Sequence, residues 1–182
     1  MINAKIKSKS LQRAVGLALV PLFLAGWHAP QVGIGPGPAV GKSTGWPVPR
    51  FESLATDKAY VRAGPGFRYP ILWDYHWRDM PVEVIGEFNV WRKVLLPDGA
   101  TGWIHEALLH GTRGFIVIGG RHTVRAQPTA DGQPVAYVEK GVVGVIRRCD
   151  AGSAWCRVLV DHRTGWLRRR DFWGDFANEA IK

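Results

Sequence analysis

Residues 61–65, Val-Arg-Ala-Gly-Pro, return 63 positions later as Val124-Arg125-Ala126-Gln127-Pro128. Trp91-Arg92-Lys93-Val94 returns after 64 positions as Trp155-Cys156-Arg157-Val158, and Thr101-Gly102-Trp103-Ile104 returns after 63 as Thr164-Gly165-Trp166-Leu167. Three landmarks in one order at one spacing define a duplicated unit of about 60 residues. Whatever one unit folds into, the chain must build twice.

Each unit is written in short strands. Val82-Glu83-Val84 and Val143-Gly144-Val145 carry β-branched residues in alternation. Gly64-Pro65-Gly66, Pro97-Asp98-Gly99, Asp131-Gly132 and Asp150-Ala151-Gly152 punctuate them as turns. No window sustains a helical period, and only Glu106–Leu109 suits a turn of helix. Several strands in so short a unit cannot form a two-layer α/β arrangement, but they can close into a small barrel. The nine tryptophans suit this, because small domains build cores from large aromatics.

The stretches VRAGPGFRYPIL, PVEVIGE, WRKVLLPDGATGW and ALL resemble a bacterial SH3-like domain. CDAGSAWCRV and TGWLRRRDFWG, with Glu179 beyond, resemble the second module of exported alphaproteobacterial proteins with tandem SH3-like domains. The second unit departs at its start, where VRAQPTADGQPVAYV lacks the Gly-Pro-Gly turn. The resemblance implies an all-β chain of two tandem SH3-like barrels, over residues 51–112 and 113–176. It also implies a binding or scaffolding role in the cell envelope, with no catalysis of its own.

The ends fit export. Lys5, Lys7, Lys9 and Arg13 precede a fourteen-residue uncharged run, Ala14–Trp27. That is short for a bilayer span, which takes about 20 residues, and suits a secretory signal. Residues 1–29 are assigned as a signal peptide, with a retained membrane anchor as the alternative. Residues 30–50 follow as a Pro/Gly-rich linker, and 177–182 form a C-terminal tail. A periplasmic or secreted location follows.

Two motifs mislead. Gly35-Pro-Gly-Pro-Ala-Val-Gly41-Lys42-Ser43-Thr44 looks like a nucleotide loop. Its spacing is one residue too long, and its prolines remove N–H groups that a phosphate would need. His105-Glu106-Ala-Leu-Leu-His110 resembles a zinc-protease helix, but its histidines are five apart instead of four. No catalytic residue, cofactor site or metal site is assigned. A cell-wall hydrolase is the least favoured reading.

Cys149 and Cys156 are the only cysteines. By alternation Cys149 shares a face with Val143 and Val145, and Cys156 with Val158 and Val160. Both thiols then meet on the core side of neighbouring strands, and an oxidising compartment would join them.

Tyr69, Trp73, Trp77, Trp91 and Trp103 are the candidate ligand groove. Trp91 shares its strand face with Lys93, and Trp103 with Thr101 and His105, so both indoles fall on the less buried side. Aromatic walls suit extended peptides. The alternative is that these rings plug the ends of a barrel.

Arg147, Arg148, Arg168, Arg169 and Arg170 form a candidate basic patch. Residues 111–175 carry eleven basic and six acidic side chains, whereas 51–110 carry six and eight. For an exported chain an anionic lipid or polymer is a more natural partner than nucleic acid. An ordinary solvated edge is the alternative. The leading function is a non-catalytic module binding an envelope protein or peptidoglycan peptide, without a small-molecule cofactor. A structural accessory subunit of an envelope complex is second.

Overall fold

The computed structural model describes residues 39–182. The signal-peptide assignment and the first part of the linker lie outside the described residues. A two-stranded hairpin, β1 (Ala39–Val40) and β2 (Pro47–Val48), leads into two seven-stranded antiparallel sheets.

The first contains β3 (Arg50–Leu54), β4 (Ala59–Arg62), β5 (Ile71–Tyr75), β6 (Pro81–Phe88), β7 (Trp91–Leu95), β8 (Thr101–His105) and β9 (Leu109–His110). The second contains β10 (Gly114–Val117), β11 (His122–Arg125), β12 (Pro134–Val138), β13 (Val143–Cys149), β14 (Trp155–Val160), β15 (Arg163–Arg168) and β16 (Phe172–Trp173). The strand orders are β5-β4-β8-β7-β6-β3-β9 and β12-β11-β15-β14-β13-β10-β16. Each strand of one sheet has its counterpart in the other, down to the 3-10 turns at Glu106–Leu108 and Arg169–Asp171. The duplication in the sequence is a duplication of topology. Among the described residues no helix is long and apolar enough to cross a membrane.

Alternation builds two separate cores. Val61, Val82, Val84, Val94 and Ile104 fill the first, and Val124, Ile146, Val158 and Leu167 take matching places in the second. Tight turns fix the registers. Asp161 and His162 both adopt positive φ in the two-residue turn joining β14 to β15, as the strand twist there requires.

Three residues, 111–113, separate β9 from β10, and the barrels touch. Phe51 on β3 meets Trp173 and Phe176, each at a centroid distance of 4.8 Å, and the Arg113 guanidinium lies over its ring. The Ser53 hydroxyl accepts from the Gly114 N–H at 2.8 Å. A Cβ on Gly114 would collide with the Asp79 carbonyl, so glycine is needed for this close approach.

Both chain ends described here are folded onto the barrels. Residues 39–50, expected within a linker, pack on the first barrel and bury Val48 in its core. The expected tail returns to the second: Ile181 exchanges two backbone hydrogen bonds with Cys149 and joins that core.

Candidate functional site

Glu87 sits near the end of β6 with a fully buried carboxylate. The Ser43 and Thr44 N–H groups donate to one of its oxygens, and the Thr44 hydroxyl and Arg50 bind the other. Burial alone would raise this carboxyl. The Thr44, Arg50 and Ser43 donors outweigh it and hold the group down to about 2. The glycine-lysine-serine stretch that imitates a nucleotide loop therefore does cradle an anion, the protein's own Glu87. Gly41 must be glycine here, because a Cβ would strike that carboxylate.

Arg92, buried on the core face of β7, lies 3.8 Å from Glu87 and also pairs with Glu106. Arg92 and Glu87 face each other across the β6–β7 hairpin, as Cys156 and Cys149 do across β13–β14. The two cysteines are joined as expected, with Cα atoms 4.5 Å apart. The expected phase for Cys149 needs correcting. Val143 and Val145 are only half-buried, and the buried residues of β13 before its irregularity are Gly144 and Ile146. The register shift between Ile146 and Arg148 turns Cys149 into the core. Among the described residues Cys149, Cys156 and Asp175 are close enough to share an ion, but the two sulfurs bond to each other.

The expected groove residues divide. Trp91 does share its face with Lys93, yet it is only 6% exposed. Phe67 and His105 close over it with centroids at 5.1 and 5.3 Å. It is buried from outside the sheet by a loop, which strand phase does not reveal. Trp103 is half-buried. Tyr69, Trp73 and Trp77 are open, Trp73 at 48% and Trp77 at 60%. Tyr69 lies against Gly64 and Gly66, whose lack of side chains makes room for its ring. Arg62 holds this loop by donating to the Phe67 and Tyr69 carbonyls. Sequence reasoning passed over Ile71 and Leu72, which are exposed beside Trp73 on β5, the terminal strand of its sheet. Their signal was a five-residue apolar strand with a single charge, Asp74.

The histidines of the protease-like stretch serve locally. His105 Nδ1 accepts from the Ala107 N–H, and His110 Nδ1 accepts from the Thr112 N–H.

The five arginines do not form one patch. Arg169 is internal: it pairs with Asp175 and donates to the carbonyls of Asp150, Ser153, Phe176 and Glu179, pinning the returning tail. Burial raises the Asp175 carboxyl, with Arg169 pulling the other way. Glu179 is bound by both terminal nitrogens of Arg113, and that contact, with the Phe176 N–H, keeps its carboxyl below the usual range despite burial. Arg147 and Arg148 are exposed on β13, Arg148 beside Asp150. Arg168 and Arg170 line a different cleft, with Arg121, Arg125 and Trp155.

No curated protein matches the chain. Among solved structures, NlpC1 from Trichomonas vaginalis aligns at 15% identity and a TM-score of 0.32, covering 73% of this chain and 48% of that one. NlpC2 from the same organism aligns at 16% and 0.31, covering 69% and 48%. An NlpC/P60 family protein from Bacillus cereus aligns at 14% and 0.31, covering 68% and 55%. The chain thus spans about half the length of each. The bacterial SH3 domain family matches twice, over residues 55–111 and 119–174, one match to each barrel. On these two matches, which take in most of the described residues, the chain belongs to the bacterial SH3 domain family.

Proposed function

We propose that the chain is an exported, non-catalytic binding protein of the cell envelope, and that its first barrel takes an extended peptide along β5. One observation carries this reading. The terminal strand of the first sheet has four of its five residues exposed, three of them apolar or aromatic, and among the described residues no strand pairs with its outer edge. Such an edge offers backbone donors and acceptors to an added strand, while Ile71, Leu72 and Trp73, exposed along β5, offer apolar contacts to its side chains. Tyr69 and Trp77 flank it. An uncovered apolar edge in a folded protein marks a contact surface. Export is supported by the basic and apolar N-terminal sequence and by the disulfide.

The test is co-sedimentation of the full chain with purified cell wall, together with titration by stem peptides released from it. Binding of wild type, lost in Trp73→Ala/Trp77→Ala at an unchanged melting temperature, supports the reading. Absence of binding to wall and peptides overturns the peptide ligand. Release of soluble fragments from the wall would overturn the non-catalytic reading.

A further inference from the structure

We infer that the second barrel carries a binding site for a phosphate-bearing ligand in the cleft between β11, β14 and the 3-10 turn after β15. The cleft has a volume of about 320 Å³ and is lined by Arg121, Arg125, Arg168 and Arg170 around Trp155, with His122 and Asp171 at one side. Arg121, Arg125 and Arg168 have no carboxylate within ion-pair distance among the described residues, and Arg170 has only Asp171, at 3.8 Å. Four guanidinium groups face one acid, and that acid also lies 3.5 Å from His122. A single carboxylate ligand would leave most of this charge unanswered. A phosphate group brings nearly two charges and three acceptor oxygens that suit the planar guanidinium fork.

The cleft is not a by-product of the barrel. In the first barrel the counterparts of Arg168 and Arg170 are His105 and Ala107, and Phe67 covers Trp91, the counterpart of Trp155. The position matching Phe67 is Ala130 in the second, and among the described residues no aromatic ring closes over Trp155. Instead Arg168 lies on it, 4.9 Å from the ring centre. The indole holds the guanidinium by its face and leaves its N–H groups free to reach a ligand. Arg121 is held in the same way over Tyr137, at 4.3 Å. Two of the four cations are thus positioned by aromatic rings instead of by counter-ions. The departure of the second unit from the Gly-Pro-Gly-Phe loop opens this site.

A lipid headgroup and a free phosphate share this chemistry. The experiment titrates the full chain with inorganic pyrophosphate and, separately, with vesicles of phosphatidylcholine containing phosphatidic acid, whose headgroup is a phosphomonoester. Variants are Arg168→Gln/Arg170→Gln, Arg121→Gln, and a charge-matched control, Arg147→Gln/Arg148→Gln, outside the cleft. Melting curves check that each is folded. The expected result is a loss of about tenfold in the cleft pair and a smaller loss in Arg121→Gln, with the control within about twofold of wild type. Binding of either probe, lost in the cleft variants, supports the site; pyrophosphate alone assigns a free phosphate, and vesicles alone assign a headgroup held at a surface. Equal loss in cleft and control variants would show diffuse surface charge and overturn the proposal, as would no binding of either probe. The outcome is independent of peptide binding at β5.

Discussion

Glu87 and Arg92 face each other across a β-hairpin at the register position where, in the second barrel, Cys149 and Cys156 are covalently joined. One fold closes the same hairpin by a buried ion pair in its first copy and by a disulfide in its second. The ion pair needs helpers. Thr44, Ser43 and Arg50 come from the hairpin of residues 39–48 and the start of β3, and Glu106 comes from the 3-10 turn. The disulfide needs only oxidation. The two copies therefore answer to different solution conditions.

Acid should weaken the first barrel. The Glu87 carboxyl is held at about 2 in the fold. Its stabilisation is complete above its unfolded pKa, near 4.5, and is lost as pH falls through the folded value. The full effect is on the order of 3 kcal/mol. Burial raises the carboxyls of Glu83 and Asp175, which contribute in the opposite sense. The comparison is therefore wild type against Glu87→Gln, by denaturant melts from about pH 2 to 7. The stability gap between them should shrink toward the acid end.

Reduction should weaken the second barrel. Opening the Cys149–Cys156 bridge, with its short loop, removes about 2–3 kcal/mol by the chain-entropy model. In Cys149→Ser/Cys156→Ser, amide exchange should speed up at Val158 and Leu167 first. Val94 and Ile104, in the other core, should keep their protection. Uniform loss across both barrels would contradict this.

Trp91→Ala should act on stability. Its ring is buried under Phe67 and His105, so truncation should remove about 3 kcal/mol or more. Trp73→Ala, on the open edge, should remove less than about 1 kcal/mol. Denaturant midpoints of the two variants decide it.

Phe51→Ala should uncouple the barrels. The ring meets Trp173 edge to face and Phe176 at a tilt across the junction while its own strand stays in the first sheet. Calorimetry should show the transitions of the two barrels overlapping in wild type and drawn apart in Phe51→Ala. A single, merely lowered transition would mean that Ser53 and Gly114 suffice to couple them.

Much of the fold was legible because repeats and alternation are local. Val61, Val94 and Ile104 announce themselves together with Val124, Val158 and Leu167 at a common offset. What alternation could not supply is burial from outside the sheet, hence the misplaced Trp91. It also missed Cys149's register shift, although the pairing itself was right. The charged core was hidden for the same reason. Arg92 falls on the core face by phase, but its partners, Glu87 and Glu106, are set by hairpin register and a turn. Nothing local to residues 39–48 says that they will wrap a carboxylate more than forty positions away. Ile181, one apolar residue near the end of the chain, gave no periodic signal, though it adds a strand-like bridge to Cys149.

The three-residue junction between β9 and β10, clamped by Phe51, sets the spacing of whatever the two barrels hold. A flexible tether gives a second binding event an effective concentration that varies smoothly with reach. A rigid junction makes it all or none. A ligand whose two epitopes match the fixed separation would gain avidity with little further loss of freedom, and one with any other spacing would gain none. For the two sites proposed above, the clamp would serve as a ruler for the length of a ligand that engages both.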